Sequence, residues 1–137
     1  MSKERRPAFQ KLPLWRDANH CLLLVERAVS DFPRYHKYAV GAELRRLAME
    51  ICRLVARASQ RHEAAERVRL VEALAHTVDD FKIAVTLAKE LRAFASFAQF
   101  QAIAECAVAL GKQSGGWWKR ARTVAAAPEP EMAGAAA

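Results

Sequence analysis

The strongest constraint on this chain is the spacing of its apolar residues, which alternate steps of four and three over long stretches. Val40, Leu44, Leu47, Ile51, Leu54 and Ala58 form one such series, and Val71, Leu74, Val78, Phe81, Val85 and Ala88 another. Steps of this kind keep every member on one face of an α-helix. Leu14, Ala18, Cys21, Leu22, Val25 and Val29 supply a third face; Phe97, Phe100, Ile103, Ala107 and Leu110 supply a fourth. Four amphipathic helices with short joints predict an all-α, up-down-up-down four-helix bundle. Two long helical hairpins that fold only within an oligomer satisfy the same pattern. Apolar residues make up 53% of the 137, with five glycines and five prolines, and period-two β-branched runs are missing. Such a composition is that of a helical protein with one sizeable core.

The joints follow from local chemistry. Pro33 disfavours a helical conformation at Phe32, so a first helix runs from about Leu14 to Asp31 and a second from about Tyr38 to Gln60. Ser59 to His62 leads into a third, from about Glu63 to Leu91. Leu70, Thr77, Ala84, Leu87 and Leu91 widen the apolar arc of that helix. An arc so wide requires a second neighbour, either the fourth helix or another subunit. Ser96 is placed to cap the fourth helix, with Gln99 as its capping-box partner. Residues 1–11 read as a flexible basic arm, 12–122 as the bundle and 123–137 as a disordered Ala/Pro-rich tail. Cys21, Cys52 and Cys106 are odd in number and far apart, which fits buried thiols rather than disulfides or a metal knuckle. No signal-peptide core and no membrane-length apolar run is present, so the expected location is cytoplasmic, with no membrane partner.

The formal charge is +7, a balance that favours polyanions: nucleic acid, an acidic protein or an anionic surface. Arg46, Arg53 and Arg57 are separated by seven and four, which places them within about 40° of one another on a helix. Arg61 extends the row if the helix persists. This helix carries Arg45 as well and no lysine, with Glu43 and Glu50 opposing; Glu50 can pair with Arg46 or Arg53. The bland alternative is a solvated helix face. Arginine, however, presents a planar fork suited to phosphate, and Arg34 and Lys37 lie just ahead of the helix. The candidate nucleic-acid surface is therefore Arg34, Lys37, Arg46, Arg53, Arg57 and Arg61, and its binding is expected to be sequence-independent and salt-sensitive. Trp117, Trp118, Lys119 and Arg120 form a candidate partner-binding cluster, because adjacent tryptophans on a helix cannot both face inward.

Catalytic groupings do not assemble from adjacency. Asp79 and Asp80 point about 100° apart, and His20, His36, His62 and His76 lack metalloprotease spacing. No glycine loop is built to cradle phosphate. The expectation is a protein that is not an enzyme, with no metal and no cofactor.

Several short motifs resemble a known family in order and spacing. Phe32-Pro33-Arg34, Lys37-Tyr38, Val40-Gly41 and Leu44 are similar to the join between the first two helices of Avd proteins, the accessory variability determinants of diversity-generating retroelements. Leu91-Arg92-Ala93-Phe94 with Phe100, and Leu110-Gly111 followed by Gly115-Gly116-Trp117, extend the likeness over roughly residues 12–122. The resemblance implies a four-helix bundle assembled as a pentameric barrel, without catalysis of its own. It further implies that the protein binds the element's reverse transcriptase and, through a basic surface, template RNA or cDNA. One departure is plain: the family's close Leu-Gly-Gly-Trp run is here stretched from Leu110 to Trp117. Proteins encoded in intervening sequences of bacterial large-subunit ribosomal RNA genes share a similar Phe-Pro join. They usually carry an Asn-Ile-Ala-Glu-Gly-like segment where this chain has Arg53-Leu-Val-Ala-Arg57. A structural or interaction bundle of that kind, with no direct nucleic-acid role, is the alternative function.

Overall fold

The computed structural model describes residues 7–128. A 3-10 turn, Ala8–Lys11, leads into α1 (Pro13–Ser30); a single turn, α2 (Arg34–Lys37), precedes α3 (Val40–Gln60); α4 (Ala64–Glu90) and α5 (Phe97–Ala126) follow. The long helices pack in the cyclic order α1, α3, α4, α5 and back to α1. That is an antiparallel four-helix bundle, and no strand occurs among the described residues. The core is drawn from the expected faces: Leu44, Leu47, Ile51, Leu54 and Ala58 of α3 are buried, as is the whole series from Val71 to Ala88 on α4.

Where α1 and α4 end and α3 and α5 begin, which we term the joint end, the packing is aromatic. The ring of Phe94 stands edge-on to Phe32 at 5.2 Å and to Phe100 at 5.7 Å. Three helix ends are thereby held by one cluster. Gly41 lets α3 approach that cluster: a Cβ there would lie 2.9 Å from Val29 Cγ1, 3.1 Å from the His36 carbonyl and 3.3 Å from Phe32. Ser96 accepts a hydrogen bond from the Gln99 backbone N–H at 3.2 Å, as the cap requires. The Gln99 side chain does not complete a capping box. Its amide donates instead to Asp31 at 2.9 Å, tying the start of α5 to the end of α1.

Two boundaries differ from expectation. Ala8–Lys11, within the expected arm, forms a 3-10 turn in which Phe9 lies edge-on to Trp15 at 4.7 Å. α5 continues to Ala126, past the expected bundle limit at Arg122, because its alanines are strong helix formers and Gly115 and Gly116 are accommodated in mid-helix. The remainder of the expected arm and tail, residues 1–6 and 129–137, lies outside the described residues. Cys21 and Cys52 are buried and Cys106 half-buried, all as free thiols; burial pushes the Cys52 thiol up to about 11.

α4 closes on a left-handed residue. Arg92 has φ 59°, its N–H donates to the Lys89 carbonyl, and the N–H of Ala93 donates to that of Ala88, at 2.9 and 3.0 Å. This is a Schellman cap with arginine where glycine is usual. A left-handed conformation costs a non-glycine residue about 1–2 kcal/mol, more than the roughly 0.5–1 kcal/mol of added backbone entropy that glycine brings. Arg92→Gly is therefore expected to raise the Tm by a few degrees. Gly41→Ala is expected to lower stability by about 1–2 kcal/mol, because overpacking against a stiff valine and a carbonyl outweighs the better helix propensity. Thermal unfolding of Arg92→Gly and urea denaturation of Gly41→Ala, each beside the unaltered protein, measure the two effects.

Candidate nucleic-acid interface

The seam of α3 lies between two arginine directions. Arg45 turns toward α1, where its Nε donates to Glu26 at 2.7 Å. Arg46, one residue and about 100° further round, is held in its charged form chiefly by its hydrogen bond to Glu43, with smaller contributions from the charges of Glu50 and of Asp80 on α4. Arg46, Arg53 and Arg57 are all exposed and share one side of the helix. The row is partly neutralised by its own helix. Arg46 makes a two-pronged contact with Glu43 (2.7 and 3.1 Å), and Arg53 donates twice to one oxygen of Glu50 (2.7 and 2.9 Å). The hydrogen bond from Arg46 holds the Glu43 carboxyl below its ordinary value. Glu50 thus chooses Arg53 over Arg46, since Arg46 is already engaged three residues back.

Arg61 does not extend the row. α3 stops at Gln60, the Arg61 backbone is extended, and its side chain reaches Glu66 of α4 at 3.3 Å. Arg34, Lys37 and Arg57 enter no ion pair among the described residues. Arg34 and Lys37 sit on α2 at the joint end, while Arg57 sits in the last turn of α3, about 25 Å away along the helix axis. The six expected residues are therefore spread from α2, along α3, to the turn after it, rather than converging on one point. Asp79 and Asp80 make no ion pair among the described residues. Lys89 is turned to the rings of Phe97 and Phe100, and Lys82 packs over Gly111.

The tryptophan cluster divides. Trp117 packs against the core, and Arg120 lies one turn further on the same face. Trp118 points toward α4, edge-on to His76 at 5.5 Å, with the guanidinium of Arg122 over its ring at 4.5 Å. Its Nε1–H is buried and finds no acceptor among the described residues. Both indoles are half-buried, because α5 packs on both α1 and α4 and so has neighbours in two directions. Lys119 and Arg120 are exposed.

Sequence reading passed over Arg67 and Lys112. With Arg120 and Trp117 they line a cleft of about 520 Å³ at the far end of the bundle, opposite the joint end. They come from α4 and two turns of α5, and no local motif marks them. The arginine pattern on α3 drew attention because it is periodic; this grouping is not.

The chain matches no protein-family model and no curated protein. No described helix is long and apolar enough to cross a membrane.

Exposed ion pairs such as Arg53–Glu50 are worth at most about 1 kcal/mol, so a phosphate can displace the carboxylate. Glu50→Gln is expected to free Arg53 and shift elution from a heparin column to higher salt. Unchanged elution would show that this face does not meet the polyanion.

Proposed function

We propose that the protein is a non-catalytic accessory subunit of a diversity-generating retroelement. In this reading it binds the element's reverse transcriptase and, through its basic surface, RNA or cDNA without sequence preference, as a cytoplasmic homo-oligomer of the pentameric Avd type. The observation that carries the proposal is the joint end. Phe32, Gly41, Ala93, Phe94 and Phe100, which belong to separate motifs of the resemblance, meet there in one packed cluster. Residues that must fit one another give those motifs a common structural reason.

The stretched Leu-Gly-Gly-Trp run is compatible with this reading. Placing the tryptophan seven residues after Leu110, instead of three, inserts four residues, close to one helical turn, so both stay on one face. Leu110 is fully buried and Trp117 packs beside the core. Oligomerisation draws support from α4. Leu87 and Leu91, on its wide apolar arc, remain 49% and 51% exposed, and Ile83 beside them 57%; burying such a stripe against a second copy is favourable.

A second reading, an interaction bundle with no nucleic-acid role, is favoured by the ion pairs that occupy Arg45, Arg46, Arg53 and Arg61. Binding to single-stranded RNA and DNA across a salt series separates the two. Phosphate contact is expected to give a steep linear fall of log affinity with log salt, and Arg57→Glu is expected to weaken binding and flatten the slope by about one. Absence of binding at low salt would leave the interaction bundle. Light scattering is expected to give five times the 15.3 kDa chain mass; a stable monomer or dimer at micromolar concentration would refute the pentamer. Co-purification with a diversity-generating reverse transcriptase tests the protein partner, and failure to co-purify would refute it.

A further inference from the structure

The cleft at the far end has an unbalanced charge. Its larger lobe, about 520 Å³, and an adjoining lobe of about 210 Å³ share Arg67, Trp117 and Arg120. Lys112 adds a third cation to the larger lobe and His62 borders the smaller. No aspartate or glutamate among the described residues lines either lobe. Three acids stand nearby: Glu66 pairs with Arg61, Asp17 accepts at 2.7 Å from Gln113 of the larger lobe, and Glu63 lies in sequence between His62 and Ala64 of the smaller.

The backbone adds to the same sign. α1 and α4 both begin at this end, and neither start carries a side-chain cap hydrogen bond. Leu12 and Pro13, at the start of α1, line the larger lobe, and Ala64, the first residue of α4, lines the smaller. Uncapped helix starts present unpaired N–H groups and partial positive charge, which Glu63 and Glu66 oppose at α4 and to which Pro13, lacking an N–H, contributes no donor at α1. The opposing C-terminal end of α3 is masked, because Arg67 donates from Nε to the Ala58 carbonyl at 3.2 Å and from Nη2 to that of Ser59 at 3.5 Å. Those bonds also fix the Arg67 fork while leaving Nη1 without a partner among the described residues. Beside the cations, Leu12, Pro13 and Trp117 supply an apolar part of the lining.

We propose that this cleft binds a nucleoside triphosphate. The phosphates lie against Arg67, Lys112 and Arg120, and the base lies on the apolar lining at Trp117. The volume is that of a small-molecule site, and an anion bearing a flat apolar body matches both halves of the lining. A bare anion would leave the apolar lining unused, and a neutral apolar ligand would leave three cations uncompensated. The site is separate from the α3 arginines, and the proposal does not rest on the nucleic-acid reading.

Isothermal titration calorimetry of the full chain with ATP, inorganic triphosphate and adenosine tests it. ATP is expected to bind in the micromolar range, triphosphate at least tenfold more weakly, and adenosine without measurable heat. Arg120 is exposed, so Arg120→Glu is expected to keep the helical circular dichroism while weakening ATP at least tenfold. Trp117→Leu is expected to bring ATP down to the affinity of triphosphate, and Arg57→Glu to leave ATP binding unchanged. Absence of ATP binding, ATP binding that survives Arg120→Glu, or triphosphate binding as tight as ATP would each overturn the assignment. Loss of RNA binding in Arg57→Glu with ATP binding intact would bear on the nucleic-acid reading alone.

Discussion

The arrangement depends on how closely α3 can approach the end of α1. At Gly41 there is no room for a side chain: Val29, Phe32 and the His36 carbonyl already occupy the space a Cβ would need. With α3 seated there, Phe32 is buried and meets Phe94, which in turn meets Phe100. One contact thus aligns the ends of α1 and α4 with the starts of α3 and α5. It also sets the rotation of α3 about its axis, which sends Arg45 toward α1 and Arg46 toward α4.

That rotation governs where the positive charge becomes usable. Along the middle of α3 the arginines face glutamates three residues earlier or on α1, so the excess charge there is small. Of the cations without such partners, Lys82 lies in mid-bundle over Gly111 while several stand at the ends. Arg34 and Lys37 stand at the joint end, and Arg67, Lys112 and Arg120 at the other. Charge that is compensated in place contributes little to long-range attraction, whereas uncompensated groups beside helix starts reinforce one another. A basic protein of this kind presents two poles rather than one continuous stripe.

The bundle was legible because helix periodicity is a local property, written in steps of three and four that each helix satisfies by itself. The Ser96 cap was legible for the same reason. The fate of Gln99 was not, since its partner Asp31 lies 68 residues away in sequence and becomes a neighbour only after α5 docks on α1. Arg61 misled because the row was extended along an ideal helix, and where a helix stops depends on the turn that follows it. The partial burial of Trp118 was not legible, because covering both tryptophans takes neighbours on two sides of α5, and the angle between adjacent residues does not reveal how many neighbours a helix has.

By itself, then, the sequence determined the helical class, the core faces, the joints at Phe32-Pro33 and before Ser96, and the overall positive charge. All of these follow from side-chain type and from spacing within one turn or two. Only the tertiary structure decided which arginines are neutralised, that Arg92 takes the left-handed cap position, and that Arg67, Lys112, Trp117 and Arg120 share a cleft free of carboxylates among the described residues. Those outcomes depend on the relative placement of helix ends. That placement is set by packing between residues far apart in the chain, which no local pattern encodes.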